Sequence, residues 1–116
     1  MRYEKLVRDK ISGFSALAGD SRRFTVARKS DMPPLLYLKL MEEAAEVNAE
    51  MMSTPLNKKK LIEELADCLE VIEAITDHFE IGEGELACAK ALKKGLKGGF
   101  RDRIVLDLST NPEKFK

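Results

Sequence analysis

The sequence LMEEAAEV, residues 40–47, combines the spacing of an amphipathic helix with a carboxylate on the apolar face. Residues three, four and seven positions apart share one face of a helix, so Glu43 falls beside Leu36 and Leu40. Burying an ionised carboxylate among apolar side chains is costly unless its charge is compensated. The stretch therefore predicts a helix. The central question about function is what compensates the negative charge of Glu43.

Three helices follow from periodicity and from the residues that end helices. The connection 53–57 (STPLN) is short, so the first two helices should be antiparallel neighbours. Apolar residues of the second helix recur at alternating steps of four and three, the spacing of packed helices. Ser30 or Asp31 could cap the first helix, Asn57 could cap the second, and Gly95 could end the third. The predicted helices run from about Pro34 to Met52, Lys58 to Phe79 and Glu83 to Lys94.

Two β-prone segments flank these helices. Arg23–Arg28 (RFTVAR) alternates apolar and polar residues, and Arg103–Leu108 (RIVLDL) has a similar character, so we expect two short strands that could pair. The length of 116 residues fits a single domain over 1–116. The sequence predicts a mainly α fold, an antiparallel helical bundle with a small two-stranded β element.

Composition argues against several classes of protein. The 20 basic and 20 acidic side chains cancel, whereas a general nucleic-acid binder usually carries a basic excess. No apolar run approaches about 18 residues, so no membrane span is predicted. Cys68 and Cys88 form no CxxC pair and fit apolar helix positions, which favours two small buried side chains in a reducing environment. We therefore expect a cytoplasmic protein that binds neither nucleic acid nor membrane.

Four carboxylates share one spacing on the two long helices. Glu43 and Glu46 are three apart, and Glu64 and Asp67 repeat that step. Antiparallel packing would bring the two pairs together, where they repel unless some stay protonated or a divalent cation lies among them. Hard oxygen ligands select Mg²⁺, Mn²⁺ or Ca²⁺. The pattern favours a metal site, with Glu43 as one ligand.

Two simpler interpretations compete with this site. Helices rich in Glu and Lys are common, and Glu42 and Glu63 fit an ordinary solvated surface. A ferritin-like di-metal site would need Glu-x-x-His motifs. The single histidine, His78, has Ile75 three positions before it, so an oxygen-activating iron site is not expected.

Glu42-Glu43-x-x-Glu46 followed by Glu64-x-x-Asp67 resembles the metal motif of the all-α nucleoside triphosphate pyrophosphohydrolases. That superfamily includes MazG, dimeric dUTPases and phosphoribosyl-ATP pyrophosphohydrolase. YEKLVRDKI at 3–11 and KGGFRDRIVL at 97–106 resemble a MazG-like, phosphoribosyl-ATP pyrophosphohydrolase-like branch of predicted house-cleaning enzymes. The resemblance covers nearly the whole chain and departs mainly at 12–22, where relatives often have a proline and a more helical stretch.

The resemblance implies an enzyme that uses Mg²⁺, or Mn²⁺ as a substitute, to cleave nucleoside triphosphates to monophosphate and pyrophosphate. It implies Glu42 as a helper carboxylate and Lys39 as a contact to the substrate phosphates. Glu46 or Glu42 would orient the attacking water or take its proton. The implied metal ligands are Glu43, Glu46, Glu64 and Asp67.

Further cations could bind the triphosphate. Lys5 and Arg8 in KLVRDK are candidates, as are Lys94 and Lys97 near the end of the third helix. Each has an ordinary alternative, because lysines also favour the C-terminal end of a helix dipole and KLVRDK could be a solvated arm. The aromatic side chains that might stack on a base are more often part of a core, so the preferred base stays open.

The expected partners are the nucleotide substrate and a second copy of the chain. Members of the group commonly form dimers, and the apolar seams favour a homodimer or a dimer of dimers here. Phosphoribosyl-ATP hydrolysis is an alternative activity. A non-catalytic helical dimer that binds metal or another protein is an alternative of a different class.

Overall fold

The structure, a computed structural model, describes residues 4–109. Tyr3, the first residue of the N-terminal motif, therefore lies outside the described residues. Contacts within the chain define two compact units, residues 1–82 and 83–116, so the single domain over 1–116 stays a prediction. The helices are α1 (Ile11–Leu17), α2 (Met32–Met51) and α3 (Lys58–His78) in the first unit and α4 (Glu83–Lys97) in the second.

The predicted mainly α character is confirmed, and α2 and α3 lie within two residues of their predicted ends. A single 3-10 turn, Lys29–Asp31, leads into α2. Pro33 and Pro34 lie in the first turn of α2, where a missing amide hydrogen costs no helical hydrogen bond. The predicted cap of α2 does not form, because the Asp31 carboxylate instead accepts a hydrogen bond from Arg28 Nε at 3.1 Å.

The start of α3 is capped as predicted. The side-chain oxygen of Asn57 accepts a hydrogen bond from the backbone amide of Lys60 at 3.2 Å. The backbone of Asn57 is extended, so Asn57 lies just outside the helix. Its side chain accepts a hydrogen bond from one of the first amides of the helix, which have no partner within the helix. This cap fixes where the chain turns from the connection into α3.

The pairing of α2 with α3 forms the centre of the first unit. The six-residue connection 52–57 reverses the chain, and the two helices pack against each other. Leu36 on α2 is 1% exposed and Val71 on α3 is 7% exposed. Glu43 lies on the same buried face of α2 as Leu36, as the spacing predicted. A carboxylate is therefore built into a small apolar contact.

The predicted two-stranded β element is wrong for the part of the chain that the structure describes. Neither 23–28 nor 103–108 forms a strand. The reason is that neither segment buries an apolar face: Val26 is 98% exposed and Ile104 is 89% exposed. Strand propensity reflects packing on a half-buried surface, and isolated strand pairs are marginal in water. The two segments also belong to different compact units.

The short helix α1 was not predicted from the periodicity of the sequence. Its sequence, ISGFSAL, contains a glycine and two serines, which are weak helix formers, and no side chain caps its first turn. The N-terminal arm, residues 4–10, directly precedes this helix in the first unit. The arm itself contains no helix or strand.

The end of α4 differs from its predicted position. The helix continues through Gly95 to Lys97, and Gly98, with φ of +83°, ends it. The Gly98 amide donates a hydrogen bond to the Lys94 carbonyl oxygen at 2.8 Å. A residue in this left-handed conformation is the usual helix terminator, and glycine adopts it without steric cost. Among the described helices, none is both long and apolar enough to span a bilayer.

Candidate metal centre

Carboxylates from α2 and α3 meet at the contact between the two helices. One carboxylate oxygen each of Glu43, Glu64 and Asp67 lies within 4.8 Å of the other two. Glu43 is buried, with 6% of its surface exposed, while Glu64 and Asp67 are half-buried. The antiparallel arrangement explains the meeting. It brings the 43–46 segment of α2 beside the 64–67 segment of α3.

Two oxygens of this cluster are buried and have no hydrogen-bond partner within residues 4–109. They are Glu43 Oε2 and Glu64 Oε2. A buried acceptor normally has a partner, because leaving it unmatched forfeits its hydration. Two unmatched carboxylate oxygens beside a third carboxylate form a set of hard ligands that a divalent cation fits.

The size of the cluster also suits a small cation. Ligand oxygens about 2.1 Å from an octahedral Mg²⁺ are about 3.0 Å apart when adjacent and about 4.2 Å apart when opposite. The upper limit of 4.8 Å between the three carboxylate oxygens lies slightly above that range. Small rotations of the half-buried Glu64 and Asp67 side chains would close the difference.

Glu46, the fourth predicted ligand, is exposed and lies outside this compact group of three. It contacts the group through Glu64. A hydrogen bond between the Glu64 and Glu46 carboxyls is the largest cause of a raised pKa of Glu64, about 7, and desolvation and neighbouring negative charges add to it. Protonation of Glu64 alone therefore relieves part of the repulsion within the cluster up to about pH 7.

Two lysines, Lys39 and Lys5, lie with Glu42 at one edge of the cluster. Lys39 Nζ lies 3.3 Å from Glu43 Oε1 and 3.5 Å from Glu42 Oε1, and its side chain is only 16% exposed. Lys5 Nζ lies 3.0 Å from the same oxygen of Glu42. The hydrogen bond from Lys5, followed by the charge of Lys39, lowers the pKa of Glu42 below its usual range although desolvation opposes them.

Arg8 contacts the cluster directly. Its terminal nitrogen lies 2.6 Å from Asp67 Oδ1. Lys5 and Arg8 were candidates for binding substrate phosphates, and in the structure both cations contact acidic side chains of the site. The sequence shows that two cations three residues apart could pair with two acidic groups. Nothing in it specifies which distant acidic residues those partners are.

The remaining predicted residues divide between the two units. Lys94 and Lys97 lie in the last turn of α4, in the second unit, so their contact with substrate stays a prediction. Cys68 on α3 is half-buried near the cluster, where desolvation and then the charge of Glu43 raise the pKa of its thiol. Cys88 is exposed on α4, so its predicted burial is not found in the structure.

A cleft of about 490 Å³ lies beside the N-terminal half of α2 in the first unit. Glu4, next to Lys5 in the arm, lines one side of it, and Leu35 and Leu38 line the helix side. Lys39 and Glu42 follow Leu38 within about one helical turn. The cleft is thus a neighbouring space with a mixed polar and apolar lining, and the sequence did not predict it.

Comparison of the chain with protein-family models, curated proteins and solved structures finds no match. Membership of the pyrophosphohydrolase superfamily therefore stays a prediction from the motifs.

Proposed function

We propose that the chain is a Mg²⁺-dependent nucleoside triphosphate pyrophosphohydrolase. The observation that carries the proposal is the buried carboxylate of Glu43, with one unmatched oxygen, grouped with Glu64 and Asp67. The resemblance of the carboxylate and terminal motifs to that superfamily supports it independently of the geometry. The expected products are a nucleoside monophosphate and pyrophosphate. The proposed role is the removal of non-standard nucleotides.

The donor set fits Mg²⁺ or Mn²⁺. Glu43, Glu64 and Asp67 would hold the ion directly, and Glu46 would complete the predicted ligand set from the exposed side. A bound divalent cation would polarise phosphate oxygens and lower the pKa of a water molecule. Because ligation requires ionised carboxylates and the pKa of Glu64 is raised to about 7, binding of the ion would favour loss of the Glu64 proton.

The carboxylates outside the group of three have different proposed tasks. Glu46 is exposed and lies beside Glu64 at the edge of the group of three, so it suits the role of orienting the water or accepting its proton. Glu42 has a lowered pKa, which makes it a poor base. We assign Glu42 instead to holding Lys5 and Lys39 in place.

Lys39, Lys5 and Arg8 are the proposed phosphate contacts from the first unit, because their charged groups already lie at the rim of the cluster. Cations beside the transferred group stabilise charge that develops in the transition state. Lys94 and Lys97 are proposed as further contacts on the strength of the resemblance alone. The second candidate activity, phosphoribosyl-ATP hydrolysis, would use the same residues.

We also propose that the chain forms a homodimer or a dimer of dimers in the cytoplasm, with no nucleic-acid or membrane partner. Ile62, Leu65 and Leu69 on α3 are exposed at steps of three and four, the spacing that packed helices use. A dimer without catalysis is the alternative from a different class, and enzymatic turnover distinguishes the two.

The test is pyrophosphate release from a panel of standard and modified nucleoside triphosphates and from phosphoribosyl-ATP, with Mg²⁺, with Mn²⁺ and with chelator. The variant is Glu43→Gln, which keeps the shape of the side chain and removes its charge. The matched control is Glu73→Gln, an exposed carboxylate of α3 nine residues from Glu64 and hence on the opposite face.

We expect metal-dependent release by the wild type and by Glu73→Gln, and a loss of at least about 100-fold in Glu43→Gln, because a ligand of the ion is removed. Release from phosphoribosyl-ATP alone would select the second activity. Absence of release from every substrate, from a folded protein that binds metal, would contradict an enzymatic role and favour the binding dimer.

A further inference from the structure

The N-terminal arm, residues 4–10, contacts the cluster through two ion pairs of different kinds. Lys5 pairs with Glu42, which lies outside the group of three carboxylates. Arg8 pairs with Asp67, which belongs to that group. One cation of the arm therefore lies beside the proposed metal site, and the other occupies one of the proposed ligands.

The contact between Arg8 and Asp67 has the geometry of a strong pair in an exposed position. The two charged atoms are 2.6 Å apart, while the Arg8 side chain is 57% exposed and that of Asp67 is 36% exposed. Ion pairs that water can reach contribute little to stability, because solvent screens the charges and competes for them. Such a pair compensates a carboxylate and can still be exchanged.

A divalent cation and the guanidinium would compete for Asp67. Glu43 Oε2 and Glu64 Oε2 have no hydrogen-bond partner among the described residues, whereas Asp67 Oδ1 accepts a hydrogen bond from Arg8. A dication held by these three carboxylates would lie close to the positive charge of Arg8, and the two would repel each other. Lys5 can keep its pair with Glu42, so the arm would remain attached at one point.

We propose that Arg8 is an internal counter-ion of the metal-free site, which a divalent cation displaces from Asp67. Displacement releases a guanidinium at the rim of the cluster at the moment the ion is in place. Guanidinium groups bind phosphate in a bidentate manner, so the released Arg8 is available for the phosphates of the nucleotide. Metal binding then prepares the nucleotide site, a sequence of events that rests on the proposed metal-dependent function.

Isothermal titration of the full chain with Mn²⁺ tests the proposal. The variants are Arg8→Gln, which removes the competing charge, and Lys10→Gln, which removes the same charge from an exposed position on the same arm. We expect Mn²⁺ to bind Arg8→Gln about three- to tenfold more tightly than the wild type. In this variant the ion no longer has to break a partly exposed, charged hydrogen bond to Asp67. Lys10→Gln should stay within about twofold of the wild type by the same screening argument.

A second readout follows the arginine itself. In ¹H–¹⁵N spectra, the Nε–H signal of Arg8, assigned by its absence from Arg8→Gln, should shift as Mg²⁺ is added to the wild type. Equal or weaker Mn²⁺ binding by Arg8→Gln, or an equal gain in Lys10→Gln, would overturn the proposal. If Mn²⁺ binding is lost in Glu43→Gln while Arg8→Gln matches the wild type, the displacement fails and the metal site stands. If the wild type binds no Mn²⁺, both fail.

Discussion

The acidic side chains of the cluster differ in how their charge is compensated. Glu43 lies against the ammonium of Lys39, and Asp67 lies against the guanidinium of Arg8. Among the described residues Glu64 forms no such ion pair, and a hydrogen bond with Glu46, followed by desolvation, raises its pKa to about 7. Negative charge in the metal-free site is thus compensated in two ways, by protonation of Glu64 and by cationic side chains of the chain itself.

The raised pKa of Glu64 predicts a pH dependence of stability in the metal-free protein. Between the ordinary value of 4.5 and about 7, the folded state holds a proton that the unfolded state has released. The free energy of unfolding should therefore fall as the pH rises through this window. Glu64→Gln, which is neutral throughout, should flatten the fall. Melting temperatures from pH 5 to pH 8 with chelator measure this, and equal slopes in both proteins would contradict it.

The candidate ligands were predictable because their spacing on two amphipathic helices is a local property. Glu43, Glu64 and Asp67 come together as the three-residue steps indicated, whereas Glu46 lies at the exposed edge. The pairs made by Lys5 and Arg8 were not predictable, because they join an arm without regular structure to helices far away in the chain. The sequence contains the charges of such pairs but no periodicity that assigns them.

At the scale of elements, the two helices that pack together, α2 and α3, were predicted most accurately. The α2 and α3 helices bury a periodic face, so their apolar spacing marks their extent. The segments 23–28 and 103–108 have β-prone side chains that remain exposed, and no strand forms there. Helix α1 is too short, at seven residues, for a periodic pattern to mark it.

The contact between α2 and α3 should depend on Leu36. Leu36→Ala removes a side chain that is 1% exposed and should lower the free energy of unfolding by about 2–5 kcal/mol. Leu38→Ala, two residues along the same helix but largely exposed, is the matched control and should cost less than about 1 kcal/mol. Urea unfolding followed by circular dichroism measures both. Similar losses would show that the helix contact is not centred on Leu36.

For the molecule as a whole, the proposed homodimer predicts that charge on the exposed stripe of α3 separates the copies. Leu69→Glu places a carboxylate in the stripe and should convert a species of two 13.0 kDa chains into a monomer. Leu56→Glu, at an exposed leucine in the α2–α3 connection, should leave the dimer intact. Light scattering after size-exclusion chromatography gives the masses. A monomeric wild type, or a dimer unaffected by Leu69→Glu, would contradict the assignment.

The central claim is that Glu43 is a ligand of a divalent cation. The most direct measurement is a Mn²⁺ titration followed by electron paramagnetic resonance, in which the free ion gives a strong signal that binding removes. The wild type and Glu73→Gln should bind Mn²⁺ alike, and Glu43→Gln should bind it at least about tenfold more weakly, since ligand shells tune metal affinity on that scale. Equal binding by the wild type and a folded Glu43→Gln would contradict the claim.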